Sequence, residues 1–504
     1  MKKQSRVKGI AISYITTVVR TLSKLLLIPL YKRILGLDDY GYYQYVFSIA
    51  GYASILDFGI SSVVNTFSIR HRENGDTEGV ENVMFHALMF SLGSAAVITV
   101  CGLVLGIGAP VVFGAAVSDR IGLTRTMLAL IIAELILLMF QHYFEGYILA
   151  SEKYVTLRMV ALIQILFRCL ITVTLLYGSV GVLSIALGDL LGVGICLAFE
   201  ILYCRNKLGL RIRYHYRDRA LIAGIAKLSL ALCLQSVVTY LNSSIDKFIL
   251  GRLLGTAMVA IYTFAVTFST FFDEIPTVIQ RLYLPQVVKL VSSGADGEEL
   301  TSFVIKPGRY QCVLVGGVLG GFILFGRQFI TMWTGKDTLD AWKAALFLMV
   351  PSVLPLIQNV CLSILTAMNK RLFRSYVLCC IAIANLGLTI FLVKRIGFMG
   401  APIGTCISLI LGNNIAMNWY YKTRIGINVK RLFLSILKGI LPCAAAAICL
   451  CIPLLFVPLA GKLWFCAECA VFCAVYAVLL LLFGLNQEEK REIKEVFLKK
   501  LKKS

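Results

Sequence analysis

The chain has 504 residues, of which 59% are apolar and only 15% charged; counted with Gly in and Tyr out, the apolar share is roughly 63%, against about 45–50% in soluble domains. So little charge cannot cover that much apolar surface in water, which excludes a soluble multidomain enzyme, a disordered chain, a collagen-like repeat, a coiled coil and a disulfide scaffold. The formal net charge of +22 would suit nucleic acid, but the basic residues fall in short breaks between apolar runs, as membrane topology requires.

A membrane span needs about 20 apolar residues. In chain order the candidates are roughly 9–34, 41–68, 82–108, 122–148, 156–178, 181–204, 221–250, 257–286, 305–326, 341–367, 375–393, 400–421, 433–457 and 463–484. This predicts an all-α polytopic membrane protein of about 14 transmembrane helices. Residues 1–8 are basic and lead into a stretch holding Arg20 and Lys24. That stretch is too long for a signal-peptide core and lacks a small-residue cleavage site, so the reading is an uncleaved first span. The 16 cysteines lie almost entirely inside apolar runs, as small buried apolar residues.

The basic residues set the expected orientation. Lys2, Lys3, Arg6 and Lys8 precede the first span. Arg70, Arg72, Lys153, Arg158, the 205–219 segment, Lys289, Lys306, Arg309, Lys370, Arg371, Arg374, Lys422, Arg424, Lys430, Arg431 and Lys438 follow even-numbered spans. With the tail lysines, about 32 of the 49 Lys and Arg fall on one side and about 11 on the other. Both termini are expected in the cytoplasm. Lys32-Arg33-Ile34-Leu35-Gly36 at the end of the first span is echoed by Asp246-Lys247-Phe248-Ile249-Leu250-Gly251 at the end of the seventh. Six spans apart, the two copies share one orientation and imply a parallel repeat. The expected organisation is an N-terminal lobe at 1–204, a basic linker at 205–220, a C-terminal lobe at 221–421, two extra spans at 422–484 and a basic tail at 485–504.

Ionisable residues inside spans carry the functional signal, since each costs about 2.5–3.5 kcal/mol at mid-bilayer on the insertion scale. Arg20 and Lys24 stand four apart on one helical face. Lys247 and Arg281 are further basic candidates for a cationic cavity. Asp57, Asp246 and Asp273 are candidate cavity acids or ion-coupling groups, with pairing of Asp57 to Arg20 or Asp273 to Lys247 as the structural alternative. Arg168 also lies within a span. Gly316, Gly317, Gly320 and Gly321 suit close helix packing. Cys466, Cys469 and Cys473 share a face without a nearby His, so no metal is expected, and His86 and His142 read as structural. No GxxxxGK[ST], HExxH or GxSxG motif occurs, and no cofactor is expected.

Leu35-Gly36 with Tyr40-Gly41, then Leu56-Asp57-Phe58-Gly59-Ile60, resembles the early region of Wzx-type polysaccharide repeat-unit flippases. The segment 246–251 with Ile261-Tyr262, Trp333-Thr334-Gly335, and Asn385-Leu386 through Arg395-Ile396-Gly397 to Gly400-Ala401-Pro402-Ile403-Gly404-Thr405 resemble later parts of that family in order. The resemblance implies the polysaccharide branch of the multidrug/oligosaccharidyl-lipid/polysaccharide flippase superfamily: two six-helix lobes related by a parallel pseudo-two-fold repeat, plus two C-terminal helices. It implies a substrate, an undecaprenyl-diphosphate-linked oligosaccharide moved across the bacterial cytoplasmic membrane by alternating access. Membrane lipid, a coupling ion (H+ or Na+) and a polysaccharide polymerase are the further partners considered; nucleic acid is not. A lipid-linked diphosphate carries about two negative charges, which Arg20, Lys24 and Lys247 would attract. The rivals are a lipid II flippase, a drug or cation antiporter, which needs a carboxylate-rich cavity, a membrane polymerase or ligase, which needs a large external loop, and a non-transporting scaffold.

Overall fold

In hydrocarbon each backbone N–H and C=O must be satisfied within its own segment, so apolar runs of this length close as helices. The computed structural model describes residues 2–370, 372–456, 461–491 and 495. Arg371, Lys494, Lys499, Lys500, Lys502 and Lys503, used in the charge count, lie outside the described residues, as does much of the 485–504 tail.

Helices α1 (Lys2–Ala50), α2 (Ile60–Glu73), α3 (Thr77–Ile107), α4 (Ala109–Phe113), α5 (Ile121–Ala150), α6 (Tyr154–Tyr177), α7 (Leu183–Asn206) and α8 (Arg219–Leu254) come first. They are followed by α9 (Thr256–Ser292), α10 (Gly297–Trp333), α11 (Asp340–Ile357), α12 (Val360–Ala367), α13 (Leu372–Ile396) and α14 (Gly400–Leu409). The last are α15 (Met417–Tyr420), α16 (Val429–Leu437), α17 (Ile440–Cys451) and α18 (Lys462–Leu479). No strand occurs among the described residues. The chain is an all-α, multi-pass membrane protein.

Among the described residues twelve segments are long and apolar enough to cross a membrane, against the fourteen expected spans. The difference lies in Ile15–Glu73 and Leu372–Ile425, of 59 and 54 residues, each of which overlaps two expected spans. As a straight helix either would run about 80 Å or more, against a hydrocarbon core of about 30 Å. Both are interrupted. Gly36 has φ 83° and ψ 176°, a conformation that costs any residue with a Cβ. In the second segment the chain turns at residues 397–399. Gly400 then brings α14 so close to α13 that a Cβ there would lie 2.3 Å from the backbone nitrogen of Val393.

Contacts divide the chain into two compact units, Met1–Ala260 and Ile261–Ser504. In the first, α5 packs on α2, α3 and α7, while α1 packs on α6 and α8. Tyr45 and Tyr143 are fully buried; their hydroxyls donate to the carbonyls of Phe113 (2.9 Å) and Met84 (2.8 Å), which satisfies the polar tip of each ring. Helix α8, which the sequence reading assigns to the 221–421 lobe, has its packing partners in this first unit. In the second unit α10 is central and packs on α11, α16, α17 and α18. Its glycine stripe receives two rings of α18: a Cβ at Gly317 would lie 2.8 Å from Tyr476 and one at Gly320 would lie 3.1 Å from Phe472. Tyr476 donates to the Val313 carbonyl at 2.9 Å.

Candidate functional site

The second expected span is not one helix. After α1 the chain tightens into a 3-10 turn over Gly51–Asp57, and Phe58 and Gly59 then adopt left-handed conformations, with φ 50° and 62°. Left-handed backbone is unfavourable for a phenylalanine, so the break must be held by its surroundings. The Asp57-Phe58-Gly59 stretch is therefore a hinge-like interruption, and Asp57 sits at its mouth. Asp57 Oδ2 lies 3.2 Å from His142 Nδ1 on α5. Its other oxygen, Oδ1, has no hydrogen-bond partner among the described residues. The structural alternative of Asp57 with Arg20 is thus replaced by Asp57 with His142, a residue the sequence reading left as structural.

Arg20 and Lys24 are both exposed on α1. Lys247, half-buried on α8, donates to Gln44 Oε1 at 3.3 Å. Gln44 in turn donates to the Tyr40 hydroxyl at 3.3 Å, and Tyr40 stacks on Tyr31 with centroids 5.6 Å apart. The ammonium groups of Lys24 and Lys247 are near enough for their charges to act on each other. Two of the predicted bases, more than 200 residues apart in the chain, therefore lie in the first unit within range of each other's charge. Asp246, next to Lys247, is buried.

The second unit holds the other candidates. Asp273 on α9 and Ser352, whose hydroxyl donates to the Leu348 carbonyl at 3.2 Å, both line a 210 Å³ cavity. Pro355, Gln358, Asn359, Asn413 and Arg374 also line it. This cavity exists because α11 stops at Ile357 after Pro351 and Pro355, each of which removes a helical hydrogen bond. Arg281 lies exposed further along α9.

Sequence reasoning missed the partners of Arg168. Its guanidinium pairs with Asp189 of α7, and one terminal nitrogen donates to Asp189 Oδ2 at 3.2 Å. The Tyr43 hydroxyl donates to the same oxygen at 3.1 Å. Glu134 of α5 is close enough to act electrostatically on Arg168. Glu200 of α7 is fully buried and accepts from Gln141 at 3.4 Å. The rule that singled out Asp57, an acid inside an apolar run, applies equally to Glu134, Asp189 and Glu200.

Residues 6–285, more than half of the chain, match the family described as polysaccharide biosynthesis protein. A stretch of 185 residues is 28% identical to the probable flippase AglR of Haloferax volcanii, covering 35% of this chain and 37% of that protein. The fold is similar to that of the lipid II flippase MurJ in an inward closed conformation, with a TM-score of 0.75 over 93% of this chain and 98% of that one at 14% identity. An inward-facing multidrug resistance MATE family transporter of the MOP superfamily matches with a TM-score of 0.67, over 84% and 99% of the two chains, again at 14% identity. The two solved structures bear on fold alone.

Proposed function

Because the chain belongs to the polysaccharide biosynthesis protein family, we propose that it is a flippase for undecaprenyl-diphosphate-linked oligosaccharide repeat units. It carries them from the cytoplasmic to the outer leaflet of a bacterial cytoplasmic membrane, with both its termini on the cytoplasmic side. A transporter of this kind makes and breaks no covalent bond. It needs a wet path for the glycan, a counter-charge for the diphosphate, and alternating access to the two sides.

The observation that carries this reading is the contact of half-buried Lys247 with α1, the helix that bears Arg20 and Lys24, through Gln44 Oε1 at 3.3 Å, within range of the Lys24 charge. Like charges held together at depth disfavour each other, and an anion that lies between them relieves the repulsion. A diphosphate, with about two negative charges, is matched to two ammonium groups. Arg20, one turn from Lys24, extends the same basic face. Asp57, Asp246 and Asp273 are the groups through which H+ or Na+ would be coupled to the cycle.

The test is flipping of a labelled lipid-linked oligosaccharide in vesicles, normalised to inserted protein. Lys24→Glu is expected to lose more transport than Lys24→Ala, because attraction turns into repulsion. The double change Lys24→Ala with Lys247→Ala is expected to depart from the product of the single losses by a coupling of about 0.5–3 kcal/mol, as residues sharing one partner do. Additive losses, or wild-type transport by Lys247→Ala, overturn the shared diphosphate site. Lipid II, the substrate named for the MurJ structure, is run in parallel; preferential flipping of lipid II would reassign the substrate.

A further inference from the structure

The chain enters the α16–α17 region through a tight turn at Gly426, and Asn428 caps α16 by accepting from the Arg431 amide at 3.1 Å. Asn428 is itself tied to the first turns of α10: its amide donates to Thr301 Oγ1 at 3.0 Å and its side chain to Glu298 Oε1 at 3.3 Å. Leu432 and Ile436 are fully buried, so the opposite face of α16 is presented outward. On that face Lys430, Leu434 and Lys438 recur every four residues, with Arg431 and Ser435 alongside, which stacks them in one stripe. These residues and Asn428 line a concave space of 460 Å³. Arg431 is engaged by Glu298, whereas Lys430 and Lys438 have no ion-pair partner among the described residues.

The backbone beneath this groove is fixed. Helix α16 stops at Lys438, and Gly439 turns with φ 80° into α17. One guanidinium nitrogen of Arg309 donates to the freed carbonyls of Ser435 (2.9 Å) and Lys438 (3.0 Å). The groove lies at the start of the apolar segment Val429–Phe456, which is long enough to cross a membrane. Leu434 between the lysines and Leu441 just beyond them are 63% and 57% exposed. A basic stripe interleaved with exposed leucines, at the end of a span, complements a molecule with an anionic head and an apolar tail.

We infer that this groove binds one anionic glycerophospholipid of the surrounding bilayer, with its phosphate held between Lys430 and Lys438 and an acyl chain lying along Leu434 and Leu441. The site is separate from the transport residues and does not depend on the substrate assigned above.

The test is native mass spectrometry of the full-length protein in a neutral detergent, titrated with dioleoyl phosphatidylglycerol or dioleoyl phosphatidylcholine. Each basic group at a membrane surface contributes about a fivefold change in affinity for an anionic lipid. Lys430→Gln is therefore expected to weaken phosphatidylglycerol binding about fivefold and the pair Lys430→Gln with Lys438→Gln about thirtyfold. The control Lys394→Gln with Arg395→Gln, at exposed positions on α13, should leave it unchanged. Both groove lysines are exposed, and an unchanged melting temperature verifies folding; the single variants give the readout should the double variant not fold. Unchanged binding by the double or both single variants, equal binding of phosphatidylcholine, displacement by inorganic phosphate, or preference for undecaprenyl phosphate would each overturn the assignment.

Discussion

Arg309 is the most completely bonded charge in the second unit, and its removal should open one region of the molecule selectively. Its Nε and one terminal nitrogen hold Glu489 at 2.6 and 3.0 Å. The remaining donors reach the carbonyls of Ser435, Lys438 and Gly484 at 2.9, 3.0 and 2.8 Å. All five donors of the guanidinium are therefore used, and both members of the ion pair are nearly inaccessible, at 3% and 6% side-chain exposure. Arg309→Leu would strand a buried carboxylate and three carbonyls, and breaking a buried pair from one side costs about 3–5 kcal/mol. The loss falls on the junctions of α16 with α17 and of α18 with the segment beyond it. Cys443 of α17 is 4% exposed and its Sγ sits 3.3 Å from the Leu479 carbonyl, so it reports opening there. Modification by a soluble maleimide, quantified on the Cys443 peptide by mass spectrometry, should accelerate about 10²–10⁴-fold if labelling follows the open population. Arg309→Lys, which keeps charge but not the fork, should fall between. Unchanged labelling of Cys443 would refute the clasp, and equal acceleration at Cys196 in the first unit would show that the whole chain, not this region, had opened.

Two further outcomes follow from ion pairs in the first unit. Arg168→Leu should lower the yield of folded protein by leaving buried Asp189 without its base, and adding Asp189→Asn should restore part of it; size-exclusion profiles that show no rescue would mean the two are energetically independent. Asp76, the N-cap of α3, accepts from the Gly79 amide at 2.7 Å and lies 2.8 Å from His71, and these hydrogen bonds hold its carboxyl below the usual carboxylate value. Its lowered pKa means a stabilisation that is present above the ordinary carboxylate pKa near 4 and lost as pH falls through the lower, folded value; Asp76→Ala should cost about 1 kcal/mol at neutral pH, and thermal melts of Asp76→Asn and wild type should diverge above pH 4 and converge in stronger acid.

The helices were legible because hydropathy and length are local properties, and hydrocarbon leaves the backbone few alternatives. Two interruptions were legible as well, since Gly36 and residues 397–399 fall in the gaps between expected spans; the left-handed break at Phe58 and Gly59, inside the 41–68 run, was not. Gly41 earns its place through contact, since a Cβ there would collide with the Thr256 carbonyl at 1.9 Å. The motif around Asp57 was visible as a pattern, but its left-handed backbone and its histidine partner depend on α5, 85 residues away. Arg309 was counted with the loop charges and proves to be buried in α10, because its partner lies 180 residues further on. Of the proposed basic site, the residue types and the Arg20–Lys24 face were legible. The approach of Lys247 to Lys24 was not, since it depends on α8 packing against α1.

Hydrogen-bond saturation separates the charges that hold this fold from those available to a ligand. A helix break inside hydrocarbon frees backbone groups that water cannot satisfy, so a polar side chain must meet them. Arg309 does this at the ends of α16 and α18, and all of its donors are spent. Lys247 has three donors and, among the described residues, one hydrogen bond, to a neutral amide. Asp57 and Asp273 each keep one oxygen without a partner among the described residues, beside a break in α1–α2 and a break in α11–α12 respectively. A buried charge with unused bonding capacity destabilises the resting fold. It is tolerated where something that comes and goes, an anion at the lysine or a proton or cation at the acids, completes its bonds during part of a cycle. On that criterion Arg309 belongs to the scaffold, whereas Lys247, Asp57 and Asp273 keep the bonding capacity that the proposed transport role requires.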